Sequence, residues 1–287
     1  MTLCIAWRYN NKIQFASDSR ITADNEAQHY IDIAIKVMAI NVKIFDPIRV
    51  ETGMKSIIYD HIIGMCFSGN TTTTFLLKEA VSEILTKLQV YPGYTDFSFH
   101  GICNVVKDML IHTANKIREG FDYEQDVQFL LGGFCPQREK VLVYRFDLID
   151  LHERYDVIVD EVLEDEENDL EMVGSGSDQA SGRLANDDNL YTDKAIFDVI
   201  KALSLDDEFP EVGGPIQYGY FKDDDFVIKG VADFIIDENG LLQNRFPLRG
   251  TFLYDDSPET TAHGFHVMAT FIQPFEQDML DYLKGSL

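Results

Sequence analysis

The chain has 287 residues, 45% of them hydrophobic and 12% aromatic, enough to bury the core of one large domain and too apolar for wholesale disorder. Its 49 acidic side chains outnumber 24 basic ones for a formal net charge of -25, which argues against nucleic-acid binding, because basic surface supplies most of that affinity. The first residues lack a basic, then long apolar, leader pattern, and nowhere do ~18 apolar residues run together as a membrane-spanning helix requires; the composition therefore predicts a soluble cytoplasmic protein.

In chain order, residues 2–9 and 12–17 are rich in β-formers, and Asn10-Asn11 between them tolerates the positive φ angles of a tight hairpin loop. A second strand group is expected at about 33–67, with the stretch from Asp46-Pro47 to Gly53 as a loop. Ser68-Gly69-Asn70 then supplies a turn and a helix cap. From there Leu77, Ala80, Val81, Ile84, Leu85 and Leu88 recur at three- and four-residue steps, the stripe of an amphipathic helix. A second stripe runs through Ile102, Val105, Val106, Met109, Leu110 and Ile117. Residues 127–134 and 141–146 read as strands joined by Pro136-Gln137-Arg138-Glu139. The segment 160–171 carries eight carboxylates among twelve residues; it lacks the order and turn glycine of a calcium loop and is predicted to be a solvated loop. Helices follow near 177–187 and 192–203, strands return after Val212-Gly213-Gly214-Pro215, and Pro274 opens a last helix ending near Lys284.

Helices grouped between blocks of antiparallel strands predict an α+β fold, a four-layer αββα sandwich of two sheets with helices outside. The whole of 1–287 is expected to form one domain, with 221–287 an extension packed on it that covers a sheet edge or a subunit contact. The four cysteines, Cys4, Cys66, Cys103 and Cys135, form no Cys-x-x-Cys pair and are expected as small buried residues. His263 and His266 have a spacing that can chelate a metal but no evident third ligand, so neither a metal site nor any cofactor is predicted. His100 and His112 lie on helical stretches, and Gly174-Ser175-Gly176-Ser177 lacks the Gly-Lys-Ser/Thr ending of a phosphate loop.

Thr2 is the most informative residue. If Met1 is removed, Thr2 carries a free α-amine, whose pKa of roughly 7.7–8.0 lets it accept the proton of its own hydroxyl near neutral pH. The chain then presents, in order, Thr2; Phe15-Ala16-Ser17-Asp18-Ser19-Arg20-Ile21-Thr22; Lys36-Val37-Met38-Ala39-Ile40; Phe67-Ser68-Gly69; and the run from Gly174 to Gly182. This ordered set resembles the proteasome β-subunit family of N-terminal-nucleophile hydrolases, above all bacterial relatives of the HslV and Anbu types, over about residues 2–220.

The resemblance implies the following roles. Thr2 is the nucleophile; Asp18 and Lys36 are the acid and lysine beneath it; the Gly69 backbone N–H faces the oxyanion; Ser175 hydrogen-bonds near the terminal amine. Ile21, Thr22, Phe67 and Thr71 border the primary specificity pocket, where the bulk of Phe67 would favour small or medium side chains. Lys43 and Lys55 also precede the Gly69 strand, and choosing Lys36 requires an insertion at about 41–58. A polar pair that the family places before a Gly-Gly is here Phe209 and Val212. The expected function is a threonine-type peptidase acting on peptide or protein substrates as a ring-like or helical homo-oligomer, with any ATPase partner unknown. A catalytically silent assembly subunit and a small-molecule amidase of the same superfamily remain open alternatives.

Overall fold

A computed structural model describes residues 2–22, 29–49, 55–94, 98–121, 125–164, 167–185, 189–236, 240–248, 251–252 and 270–285. Two six-stranded sheets dominate a mixed α+β architecture. The first sheet runs, edge to edge, Asp169–Val173, Cys4–Tyr9, Lys12–Ser17, Gln217–Lys222, Asp225–Val231 and Phe271–Ile272. The second runs Tyr155–Val162, Lys140–Asp150, Val127–Cys135, Lys55–Gly69, Val37–Arg49 and Leu88–Gln89. Neighbours are antiparallel except at the two short edge strands, Phe271–Ile272 and Leu88–Gln89, which pair in parallel.

The local reasons are legible. Asn10 and Asn11 take φ of 51° and 60°, the positive pair that a two-residue hairpin loop demands, and pair Cys4–Tyr9 with Lys12–Ser17 in strict register. Alternation then sends Leu3, Ile5 and Trp7 to one face and Cys4 and Ala6 to the other. Asn70 caps helix α1 (Thr71–Ile84) by accepting from Thr73 N at 2.9 Å. Helix α2 (Phe99–Phe121) buries Ile102, Val106, Leu110 and Ile117 at the predicted spacing. Thr192 caps α4 (Asp193–Ser204), which follows α3 (Ser177–Leu184), and α5 (Glu276–Gly285) closes the described chain.

Three apolar cores separate these elements. One, with Phe15, Cys66, Leu130, Phe221 and Phe226, contains residues of both sheets. The second joins the second sheet to α1 and α2 through Met65, Phe67, Leu77, Val81 and Val106. The third joins the first sheet to α3, α4 and Phe275 through Trp7, Phe197, Ile200 and Tyr218. Each fully buried Leu, Ile or Phe stabilises the fold by roughly 1.5–3 kcal/mol, so the strands carrying the N-terminal residues are held from both faces.

Three expectations change. The loop predicted from Asp46-Pro47 is strand as far as Arg49, and its partner resumes at Lys55, so the predicted 41–58 insertion lengthens a hairpin whose bulges near Phe45 absorb the proline. The acidic segment is strand at both ends: Asp160 and Glu161 lie near the end of Tyr155–Val162, and Asp169 and Glu171 belong to Asp169–Val173. Two of its carboxylates are matched from neighbouring elements, Glu161 by Arg138 of the 136–139 turn and by Tyr144, and Glu171 by Arg145 at 2.8 Å. The first helical stripe also ends sooner, α1 giving way to a 3-10 turn at Leu85–Lys87 and an edge strand containing Leu88.

Past residue 221, Asp225–Val231 is an integral strand of the first sheet, and Phe271–Ile272 extends its edge. Helix α5 is tied to α4 by Lys194–Asp278 at 3.0 Å, and Phe275 packs edge-on to Phe197. All four cysteines are buried and unbridged. His263 and His266 lie outside the described residues.

Candidate active site

Three of the predicted residues meet at the N-terminal end of the first sheet. Thr2 continues the Cys4–Tyr9 strand, Asp18 follows the end of its hairpin partner, and Lys36 directly precedes the Val37–Arg49 strand of the other sheet. Lys36 Nζ donates to Thr2 Oγ1 at 2.6 Å and to the two Asp18 carboxylate oxygens at 2.9 and 3.0 Å. All three are buried: Thr2 is 4% exposed, and Asp18 and Lys36 have no accessible surface. The ammonium has three N–H bonds and three acceptors, so its direction is fixed.

Asp18 is satisfied as completely. Besides Lys36 it accepts from the backbone N–H groups of Leu3 at 3.1 Å, Arg20 at 3.0 Å and Gly213 at 3.2 Å. A buried ion pair gains little net stability against two apolar residues, because desolvating both charges offsets their attraction. What the pair provides is a cation held beneath a hydroxyl. A threonine oxygen that accepts from an ammonium is polarised toward the alkoxide and leaves its own hydrogen free to pass to another base.

The segment after Asp169–Val173 wraps the Thr2 backbone. Gly174 takes φ +102°, and a Cβ there would lie 2.1 Å from Thr2 O, so only glycine fits. Gly174 N donates to Gln128 Oε1 at 3.2 Å, and Gly176 N donates to Thr2 O at 3.4 Å. Ser175 sits between them, exposed, at the start of the turn into α3. Ser68 approaches the same loop, since its Cβ lies 3.0 Å from that virtual Gly174 Cβ. Gly69, next in the chain, has φ +90° and packs on the Asp126 carbonyl, where a Cβ would come within 2.1 Å. Gly69 is thus one residue from a side chain that borders the Thr2 loop.

The four predicted pocket residues lie on three different elements. Ile21 and Thr22 form a short half-buried strand paired with Tyr30–Ile31. Thr71 is the first residue of α1. Phe67 is 1% exposed and stands edge-on to Phe75 at 5.7 Å, within the core under α1, so its ring fills space and presents almost no surface.

Where the sequence lacks a polar pair, the structure puts packing and backbone. Val212 is 1% exposed and lies against Gly176, while Phe209 packs on the core under α3 and α4. Support for Asp18 comes from the Gly213 N–H, and Ser19 N donates to Gly213 O at 3.0 Å. Arg20 grips Asp32 through two bonds of 2.7 and 2.9 Å, reaches Pro210 O at 2.8 Å, and stacks on Tyr30 at 3.7 Å. Its hydrogen bond to Asp32 raises the guanidinium's pKa above its ordinary value against the opposing effect of burial.

From the sequence one group, Gln217, is passed over, and a second, Cys4, is expected as a small buried residue. Gln217, 1% exposed, bonds to the backbone of both the Asp18 and Lys36 segments. Cys4 donates to Phe67 O at 2.8 Å and Ser17 Oγ at 3.3 Å, and lies beside Cys66, whose thiol is pushed well up by burial and then by its hydrogen bond with Cys4. A polar residue on the buried strand Gln217–Lys222 was the available signal for the first. Among the described residues no cluster of three His, Cys, Asp or Glu could hold a metal ion, and no helix is long and apolar enough to cross a membrane.

No protein-family model matches the chain, and no curated protein matches it. Solved structures do. An Anbu mutant from Hyphomicrobium sp. strain MC1 is 16% identical, with a TM-score of 0.51 over 80% of this chain and 85% of that one. Anbu (ancestral beta-subunit) from Yersinia bercovieri is 16% identical, with a TM-score of 0.50 over 79% and 86%. A structure of the helical assembly of the Anbu complex from Pseudomonas aeruginosa is 13% identical, with a TM-score of 0.52 over 99% and 96%. The chain therefore has the fold of the Anbu proteins, as the ordered motifs led one to expect, and the last match runs well past residue 220.

Proposed function

We propose that this chain is a threonine-type N-terminal-nucleophile hydrolase that cleaves peptide or other amide bonds through an acyl-enzyme on Thr2, once Met1 has been removed. The observation that carries this reading is the 2.6 Å hydrogen bond from Lys36 Nζ to Thr2 Oγ1, with Asp18 holding the ammonium from the other side. Nothing in the stability of a fold calls for a fully buried lysine under the second residue of the chain.

The steps follow from these positions. Loss of Met1 turns the Thr2 nitrogen from an amide into a basic amine. Thr2 Oγ attacks the substrate carbonyl carbon while its proton passes to that amine, directly or through water. The carbonyl π electrons move to oxygen, and the Gly69 N–H would donate a hydrogen bond to that oxyanion. Collapse breaks the C–N bond, and the departing amine takes the proton back. Water then attacks the carbon of the resulting ester and loses a proton to the same α-amine; collapse breaks the bond to Thr2 Oγ, which takes that proton back as the acid leaves. Ser175 would hydrogen-bond near that amine. Ile21, Thr22 and Thr71 would border the pocket, with the Phe67 ring enclosed in the core behind it, and we expect small or medium side chains there.

We place this activity on a single αββα domain of a soluble, cytoplasmic homo-oligomer. The Pseudomonas aeruginosa neighbour forms a helical assembly, which supports an oligomer of that general kind for this fold. Thr2→Ala tests the reading: hydrolysis of short peptide amides by the purified protein should vanish while its melting temperature is kept. Retained hydrolysis would sink it.

A second reading, a silent assembly subunit, is favoured by one observation, the apolar Val212 and Phe209 where polar supports of the amine belong. It predicts that Met1 stays in place or that the freed Thr2 is inert.

A further inference from the structure

The two segments that carry Asp18 and Lys36 adjoin different sheets; Ala34 N donates to Ser19 O at 3.0 Å, Arg20 and Ser19 bond to Asp32, and one buried side chain adds four bonds at Asp18 and Lys36 themselves and their chain neighbours. Gln217 Oε1 accepts from Lys36 N at 3.0 Å and Val37 N at 3.2 Å. Gln217 Nε2 donates to Ala34 O at 2.5 Å and Asp18 O at 3.3 Å. All four vertices of one carboxamide are used, and its oxygen and nitrogen are fixed by their partners: rotated by half a turn, NH2 would face two N–H groups and the oxygen two carbonyls. Gln217 is 1% exposed, and its own strand pairs with Lys12–Ser17 at Ser17, one residue before Asp18.

We propose that Gln217 is a positioning residue for Thr2, acting through Asp18 and Lys36; this rests on the reading of the site given above. Asp18 and Lys36 lie beyond the ends of their strands on separate sheets, and the backbone bond between their segments falls at Ser19 and Ala34, to one side of both residues. The carboxamide is what bonds to the backbone of Asp18 and Lys36 themselves. By fixing the backbone on both sides of Lys36, it directs Nζ to the gap between Thr2 Oγ1 and the Asp18 carboxylate. Displacement of that ammonium by even an ångström removes the polarisation of the hydroxyl, which is the scale at which misplacement becomes costly to reactivity. Methionine, of similar length, cannot donate and accepts weakly. Glutamate keeps the shape but cannot donate to the two carbonyls when ionised, and it sets a negative charge beside the site.

The test compares the wild type with Gln217→Met and Gln217→Glu by two measurements. Amide hydrogen exchange across residues 34–38 reads the clamp without reference to activity: both variants should exchange faster there than the wild type while the Val127–Cys135 strand is unchanged. The rate of Thr2 labelling by a β-lactone electrophile, per folded molecule and as a function of pH, reads the consequence. Gln217→Met should lower it roughly tenfold to a hundredfold. Gln217→Glu should also move its pH midpoint upward, because a nearby negative charge favours the protonated amine. Unchanged exchange at 34–38 would overturn the clamp. Faster exchange with an unchanged labelling rate and midpoint would overturn the positioning role and leave the reading of the site intact. An unlabelled wild type would overturn both.

Discussion

Two of the ionic groupings that link the sheets among the described residues differ in one respect. Arg145 of the second sheet binds Asp147 beside it and Glu171 on the first, at 2.7 and 2.8 Å, with these side chains 20–32% exposed. Asp18 and Lys36 make the same kind of bridge at 2.9 Å with side chains 0–1% exposed. Water shares the first network and screens it, so it stabilises little. The second lies in a place where charge is costly, the Lys36 ammonium has an acceptor for each N–H, and among the described residues the side-chain hydrogen bond it makes outside the pair is to the Thr2 hydroxyl. Equal chemistry at unequal burial separates a surface device from a reactive site.

The largest effect that would break this comparison comes from removing one member of the buried pair. Lys36→Ala leaves Asp18 charged and buried, which should cost about 3–5 kcal/mol of stability and slow Thr2 labelling about a hundred- to a thousandfold. Urea unfolding and labelling kinetics read the two losses. The sharper version is the double variant Asp18→Asn with Lys36→Met: it should recover most of the stability and none of the reactivity, since the pair serves Thr2 more than the fold. Recovery of reactivity would contradict that view.

Next is Gly174→Ala. The added Cβ meets Thr2 O, and the backbone is in a region that alanine disfavours, so a loss of about 1–3 kcal/mol is expected together with a displaced Thr2. Thermal melting and labelling should fall together. Arg145→Ala should cost at most ~1 kcal/mol, an effect that shrinks with added salt, and should leave Thr2 labelling as it was.

How much of this was legible in the sequence follows from where each signal resides. The hairpin at Asn10-Asn11, the helix stripes and the ordered run of Thr2, Asp18 and Lys36 are local patterns, and local patterns survive in a string of letters. The strand through Asp46-Pro47 was hidden because proline and aspartate mark loops, whereas an irregular, bulged stretch of a hairpin tolerates both. The acidic segment reads as solvated because its counter-charges, Arg138 of a turn and Arg145 of a strand, come from elsewhere in the chain. Gln217 was missed for the same reason: its four partners lie 180 or more residues away, and nothing nearby distinguishes it from an ordinary strand glutamine.

A smaller, alkaline effect follows from the buried thiols. Burial pushes the Cys103 and Cys66 thiols well up. With the folded pKa above the unfolded one, the stabilisation is whole below the unfolded value of ~8.5 and is lost as pH rises from there toward the folded value. The melting temperature should therefore fall between about pH 8 and about pH 10, and Cys103→Ala should flatten that fall. An unaltered slope would assign the alkaline loss to other groups.

The central claim is that Thr2 is a nucleophile with its own base, and intact-mass analysis followed by peptide mapping of the β-lactone-treated wild-type protein tests it most directly. The account predicts a chain that begins at Thr2 and carries one adduct on the Thr2 hydroxyl. A chain that retains Met1 throughout, or one that begins at Thr2 and carries no adduct there, would contradict it.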